Sequence, residues 1–507
     1  MFGGLTNTSS RIAIAAALGM TLGGFAMSAH PAKAADLGGD CCADLEERVA
    51  DLEATTVRKG NKKVSVTLSG WVVESMNWWD DGKNNGFVVG SKDITLSSHF
   101  TISGQATIAP GWTAGYNLTE ELAGGTMGFF TNQFNFPDQN AANVLANGLG
   151  SSNLPNTLQS YMWVKSDKYG TLNWGLLSPA TDNVALLPDL SGTIIESNAV
   201  LFEGPGFFLS GGPGNGHFGL QALTWGNFTR CDSVAPIGAG IGADCNTALP
   251  VNAVRYDSPT FGGFSVSTSM GEQTFYDVAA KYAADWNSIK VSAAVGYSKQ
   301  LDELYGLNGL RFPGPNFQKD DDTWEIGLSM MHVPSGLWVY GMWQNIAING
   351  TNRTVGGPCA VTGAGCGSGS NNSDTWFMKA GIKRTWTPLG ATVIWGEFGQ
   401  YLNQFNGIAG VDVCDLGAGS EGSLIQGGQG TGGCQNTQLF VKSSTVNRLG
   451  AGVVQEIDSA AMHVYARWQN LSLDSTYSAF TDGGAPTHAK DSFGDLNIFQ
   501  VGGVIFF

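Results

Sequence analysis

The chain has 507 residues, of which 42% are hydrophobic and 13% charged, with a formal net charge of −16; that charged share is about half the ~25% of an ordinary soluble domain. Its 72 glycines are about twice the usual ~7% share, and 15 Trp with 27 Phe exclude a disordered chain. The acidic balance argues against a nucleic-acid partner, and past the N-terminus no apolar run reaches the ~18 residues of a membrane helix. A large all-β protein with many turns remains.

Residues 12–29 carry no charge and are mostly Ala, Ile, Leu, Met and Gly, following Arg11. Ala32-Lys33-Ala34 then supplies a small-x-small cleavage pattern. This predicts a secretory signal peptide over 1–34 and a mature chain that leaves the cytosol. Over 35–60, Cys42, Leu45, Val49, Leu52 and Thr56 recur at spacings of three and four, an a/d seam of about two heptads. So short a seam is not stable alone. The segment reads as a small periplasmic coiled coil between subunits, or as a lone amphipathic helix lying on the body.

From Lys62 onward the period switches to two. Met462, Val464, Ala466 and Trp468 alternate with His463, Tyr465, Arg467 and Gln469. Tyr276, Val278, Ala280 and Tyr282 stand against Asp277, Lys281 and Asp285. Ile289, Val291, Ala293, Val295 and Tyr297 stand against Lys290 and its serines, and Trp376, Met378, Ala380 and Ile382 against Lys379 and Lys383. Strands with one apolar and one charged face suit a barrel with lipid outside and water inside. Two segments, 338–343 and 391–397, alternate poorly.

The connections are asymmetric. Seven are tight turns: 110–111, 166–170, 258–263, 285–287, 334–336, 387–390 and 457–459. The others are mostly long and rich in Gly, Asn and Ser: 124–154, 178–249, 301–321, 347–373, 403–439 and 474–490. Seven turns joining strands in pairs, with one further strand at each end, give sixteen strands and place both termini on the turn side. The expectation is a 16-stranded antiparallel transmembrane β-barrel over 61–507 with external loops and periplasmic turns. Residues 218–228 would spoil the parity, so they are assigned to the third loop, 178–249. The last strand shows Phe499, Val501, Gly503, Ile505 and Phe507 to lipid.

Eight cysteines are present. Cys231 and Cys245, Cys359 and Cys366, and Cys414 and Cys434 form three local pairs, each inside one long loop. In an exported protein these are disulfide candidates. Cys41 and Cys42 could pair with each other or between subunits. No His or CxxC spacing points to a metal, and no catalytic set or cofactor motif is found.

The run from Cys41-Cys42-Ala43-Asp44-Leu45 to Thr56, then Lys62-Lys63-Val64-Ser65-Val66, resembles the mature start of alphaproteobacterial porins. So do Val254-Arg255-Tyr256-Asp257-Ser258-Pro259 and the terminal Phe507. The resemblance implies a homotrimer of 16-stranded barrels in the outer membrane of a Gram-negative bacterium. It implies passive passage of small hydrophilic solutes, a third loop folded into each pore, and a terminal Phe507 read by the barrel assembly machinery.

Selectivity in such a pore sits in charges at its narrowest point. The third loop offers Asp182, Asp189, Glu196 and Glu203, seven residues apart, with no Lys or Arg between Pro179 and Thr229. The wall offers Arg255, Lys281, Lys290, Lys379, Lys383, Arg448 and Arg467. Opposed across a constriction, these groups would set up a transverse field. A solute-specific channel, for sugars or carboxylates, is the alternative; an aromatic slide that includes Trp225, Trp338 and Trp343 would mark it.

Overall fold

The computed structural model describes residues 64–92, 96–122, 156–205, 207, 209–210, 225–229, 250–271, 275–304, 318–349, 372–404, 411–413, 437–480 and 487–507. The expected signal peptide, the segment 35–60 and all eight cysteines lie outside the described residues.

Antiparallel strands close on themselves into a single barrel. In chain order they are β1 (Thr67–Asp80), β2 (Asn85–Gly90, resumed as His99–Ala109), β3 (Trp112–Glu121), β4 (Asn156–Ser166) and β5 (Gly170–Leu177). Then come β6 (Val251–Asp257), β7 (Phe264–Gly271), β8 (Phe275–Trp286), β9 (Ile289–Leu304), β10 (Gln318–His332) and β11 (Leu337–Asn349). The circuit ends with β12 (Asn372–Thr387), β13 (Gly390–Leu402, prolonged by Val411–Val413), β14 (Thr437–Ile457), β15 (Met462–Phe480) and β16 (Thr487–Ser492, resumed as Leu496–Phe506). Three interrupted strands thus turn nineteen segments into sixteen wall strands. β1 pairs with β16 from Trp71↔Phe506 to Asp80↔Asn497, which closes the wall.

All seven expected turns join the strands they were expected to join. At 287–288 the turn takes two left-handed residues, Asn287 and Ser288; at 110–111 Gly111 fills the left-handed position after Pro110. On the alternating strands the two faces sort as expected. Val72, Met76, Trp78, Phe398, Val464, Trp468, Phe499 and Ile505 point outward and are exposed. Asn77, Lys379, Arg448 and Arg467 point inward. Among the described residues no helix is long and apolar enough to cross a membrane; the closed set of strands satisfies every neighbour's backbone and can.

The barrel is not hollow. After β5 the chain turns inward at Ser178 and runs along the inner wall over 178–205, and residues 207 and 209–210 also lie inside. A short helix α1 (Trp225–Thr229) follows inside, at the end of the stretch 218–228. Leu186, Ile195, Val200 and Phe202 of this strap pack on Trp338, Met342, Phe377, Val393, Trp395 and Phe506 of the wall. Leu201, Phe207, Leu209, Trp225 and Phe228 pack on Trp79, Tyr401, Val446, Leu471, Leu496 and Ile498. This explains the two poorly alternating segments. On β11 and β13 the inward positions Trp338, Met342, Val393 and Trp395 are apolar because they meet the strap rather than water.

Candidate functional site

The strap is fixed to the wall in four steps, and the wall sequence prepares each one. At its root, Arg255 on β6 donates to the Ser178 carbonyl at 3.1 Å and holds Asp257 at 2.8 Å. Gln159 on β4 donates to Ser178 Oγ at 2.9 Å. Asp277 on β8 accepts both the Thr181 N–H, at 2.8 Å, and its hydroxyl, at 2.9 Å.

Next, the strap backbone presses on β9 and β10. The inward positions there are Gly296 and Gly327. A Cβ on Gly327 would overlap the Ala185 carbonyl, and one on Gly296 would crowd Val184 and Thr181. Only the missing side chain lets the two backbones approach. Tyr340 on β11 donates to the same Ala185 carbonyl at 2.8 Å.

The third step is Lys379 on β12. Its Nζ lies 2.8 Å from each of Asp189 Oδ2, Thr193 Oγ1 and Ser197 O. Both charged side chains are wholly buried. Lys383, four residues further along the same face, pairs with Glu456 of β14.

The fourth step is the densest. Arg448 on β14 donates to Glu397 of β13 at 2.8 Å and to Ser197 Oγ at 3.0 Å. Arg467 on β15 reaches Glu397 at 3.2 Å, Glu203 at 3.0 Å and the Glu196 carbonyl at 3.1 Å. His463 Nδ1 lies 2.7 Å from Glu196 Oε1. Lys92, from the interruption of β2, pairs with Glu203. Burial alone would raise the Glu203 carboxyl; the Lys92 ammonium and then Arg467 outweigh it and hold that group below the usual carboxylate range. His463 does the same for Glu196.

The acids seven residues apart therefore land on successive wall sectors. Asp189, Glu196 and Glu203 are brought to Lys379, to His463, and to Arg467 with Lys92. Asp182 sits near the root, where Asn183 donates to it at 2.8 Å. Arg448 joins the cluster through Glu397. Lys281 and Lys290 do not: among the described residues neither makes an ion pair with the strap. Lys281 lies on β8 among Arg255, Asp257, Asp182 and Asp277, and Lys290 faces Asp285 by the periplasmic turn. Asp189, Glu196 and Glu203 thus meet their wall partners in direct contact.

Sequence reasoning missed Lys92, Glu397, Glu456 and the role of His463. Glu397 sits in the poorly alternating segment, and its flanking Trp395 donates to it at 2.8 Å. Lys92 lies where β2 leaves the wall, so no strand periodicity marks it. Of the aromatic-slide residues, Trp225 and Trp338 are buried under the strap and Trp343 points outward.

A family model described as a Gram-negative porin matches residues 15–503. No curated protein matches the chain. Among solved structures, the anion-selective porin from Comamonas acidovorans is 15% identical, covering 88% of this chain and 100% of that one, with a TM-score of 0.48. OmpT of Vibrio cholerae is 12% identical, covering 89% of this chain and 99% of that one, with a TM-score of 0.43.

Proposed function

This chain belongs to the Gram-negative porin family, and from that premise we propose that it passes small hydrophilic solutes passively through a lumen narrowed by the strap. The protein is an outer-membrane porin channel. The observation that carries the finer reading is the seating of Asp189, Glu196 and Glu203 on wall cations and His463. A size limit needs a constriction of constant width. Buried ion pairs to β12, to β15 and to Lys92 at the interruption of β2, over a packed apolar underside, keep the strap from swinging.

The paired charges cancel locally. Ion preference then depends on lumen groups outside the pairs, and Lys281 is the half-buried inward lysine nearest the strap root. No reaction is assigned to the chain. The run 41–56 supports the alphaproteobacterial branch of the family and export by a cleaved signal peptide. The channel is read as a homotrimer, assembled by machinery that recognises Phe507; its N–H and carbonyl already bond to Gly70.

The test is single-channel recording in a planar bilayer. Large steps that close in threes are expected, with a reversal potential in a salt gradient that shifts in Lys281→Glu. Small steps blocked by one class of sugar or carboxylate would replace the general pore by a solute-specific one. Silence with every solute would overturn the channel reading.

A further inference from the structure

The inward cations of the wall divide in two. Lys379, Arg448, Arg467 and Arg255 each hold a carboxylate at 2.8–3.0 Å, and Lys383 pairs with Glu456. Lys281 on β8 makes no hydrogen bond or ion pair among the described residues. Its charged surroundings are Arg255, Asp257, Asp182 and Asp277, and the acids among them are engaged elsewhere. Asp257 takes Arg255 Nε at 2.9 Å, the Asn173 amide at 2.9 Å and the Ser267 hydroxyl at 2.6 Å. Asp277 accepts the Thr181 N–H and hydroxyl and the Ser269 N–H, all at 2.8–2.9 Å. Asp182 accepts from Asn183 at 2.8 Å.

The wall around Lys281 is built of small residues. Ser265 of β7 and Ala294 of β9 stand opposite it in register, and Ala279 and Ala283 flank it along the inward face of β8. On its external side the strap closes over the wall, with Ala180 and Val184 packed on Ala279 and Ala294. On its periplasmic side the inward neighbours are Ala283 and, opposite that, Ser292. These side chains are too short to cover an ammonium. Lys281 therefore stands on a ledge at the lower edge of the strap and faces the periplasmic part of the lumen. The hydroxyls of Ser265 and Ser292 have no hydrogen bond among the described residues. Residues directly opposite on neighbouring strands are ~5 Å apart and diagonal ones ~7–8 Å, so a lysine and both hydroxyls can meet on one bound group.

The ledge offers only donors: three N–H of an ammonium and two hydroxyls. A partly buried ammonium is stabilised by an anion that comes into contact with it. An oxyanion has acceptors enough for all of these groups. Lys290, the next inward cation toward the periplasm, is four residues from Ala294, or ~13 Å along the strand. It stands opposite Asp285, so its charge is offset where that of Lys281 is not.

We propose that Lys281, with the hydroxyls of Ser265 and Ser292, forms a subsite for the oxyanion group of a small solute, a phosphate or a carboxylate, at the periplasmic edge of the strap root. This rests on the channel reading above and gives it a solute class.

The test records the chloride current of the full chain in a planar bilayer while inorganic phosphate, or in a separate series acetate, is added at constant ionic strength. A saturable fall in current is expected. Lys281→Met should raise the half-blocking concentration about tenfold, the loss of one charge-assisted contact, and Lys281→Arg should keep it near the unaltered value. Lys290→Met removes the same charge about 13 Å away, beyond the ~10 Å screening length of 0.1 M salt. It should shift the reversal potential and leave the half-blocking concentration within about twofold. Block by both anions supports a general oxyanion subsite, and block by one of them narrows it to that group. A current that neither anion reduces saturably, or an equal loss of block in Lys281→Met and Lys290→Met, would overturn the proposal. A conducting protein without block sinks the subsite alone, whereas silence of the unaltered protein sinks the channel.

Discussion

The inner wall is lined in two ways. Across β2 to β4, neutral inward amides and hydroxyls bond to one another and to the strap root, alongside the inward Glu121. Thr101 and Thr119 share a hydroxyl contact at 2.8 Å, Asn117 donates to Gln159 at 3.3 Å, and Gln159 donates to the strap root. Across β12 to β15 the same inward positions carry Lys379, Glu397, Arg448, His463 and Arg467. The strands have the same period and the same burial. What differs is the strap: neutral groups bind one another where only its root is near, and charges bind it where its far half lies. Ion pairs tie a mobile connection to a wall more specifically than amide contacts do, at the cost of desolvating each partner.

The comparison breaks most visibly if Arg467→Ala is made. Glu203 and Glu397 would each lose a buried guanidinium partner, and stripping one partner from a buried pair costs about 3–5 kcal/mol. The melting temperature in detergent should fall, and open-channel noise should rise as the strap loosens. A melting temperature unchanged by the substitution would mean that the far anchor carries no load. Removing both partners in Glu397→Gln/Arg448→Met should cost less than either change alone. That non-additivity is the signature of a shared buried pair.

Gly327→Val attacks the same half without touching a charge. The new side chain would occupy the space of the Ala185 carbonyl. The barrel should still assemble, since the outward face is unaltered, but the strap would stand off β10. Single-channel conductance should change while the oligomer's heat stability changes little. Unchanged conductance would show that this stretch of strap lies away from the narrowest point.

Acid distinguishes the two halves by chemistry. Glu196 and Glu203 titrate below the ordinary carboxylate value in the folded protein. A lowered folded pKa contributes stability that is complete above the unfolded value and is lost as pH falls through the folded one. Open-channel noise should therefore stay flat from neutral pH down to about pH 4.5 and rise only below it. Noise that rises between pH 7 and 5 would mean that neither carboxylate is the group whose protonation loosens the strap.

The wall was legible from the sequence because lipid on one side and polar groups on the other write a period of two. The turns were legible from Pro, Gly and Asn at seven places. The strap charges were legible in part. Asp189, Glu196, Glu203, Lys379, Arg448 and Arg467 could be named, since charged inward positions in an apolar alternation stand out. Their partnership could not, because it depends on how far a loop reaches across a barrel. Glu397 escaped notice for the reason that makes it effective: its neighbours Val393 and Trp395 face the strap's apolar side, so the alternation that would have exposed it is filled. Lys92 escaped because an interrupted strand has no period.

The smallest expected effect lies in the neutral half. Gln159→Ala would remove the amide that joins Asn117 to Ser178 Oγ. A neutral hydrogen bond is worth about 0.5–1.5 kcal/mol net, and Asn117 keeps its contact with Thr119 at 3.2 Å. The melting temperature should drop by far less than in Arg467→Ala, and the reversal potential should not move, because no charge changes. A loss as large as that of Arg467→Ala would mean that the root is the true anchor. The far ion pairs would then be a consequence of where the strap falls, with the root holding it there.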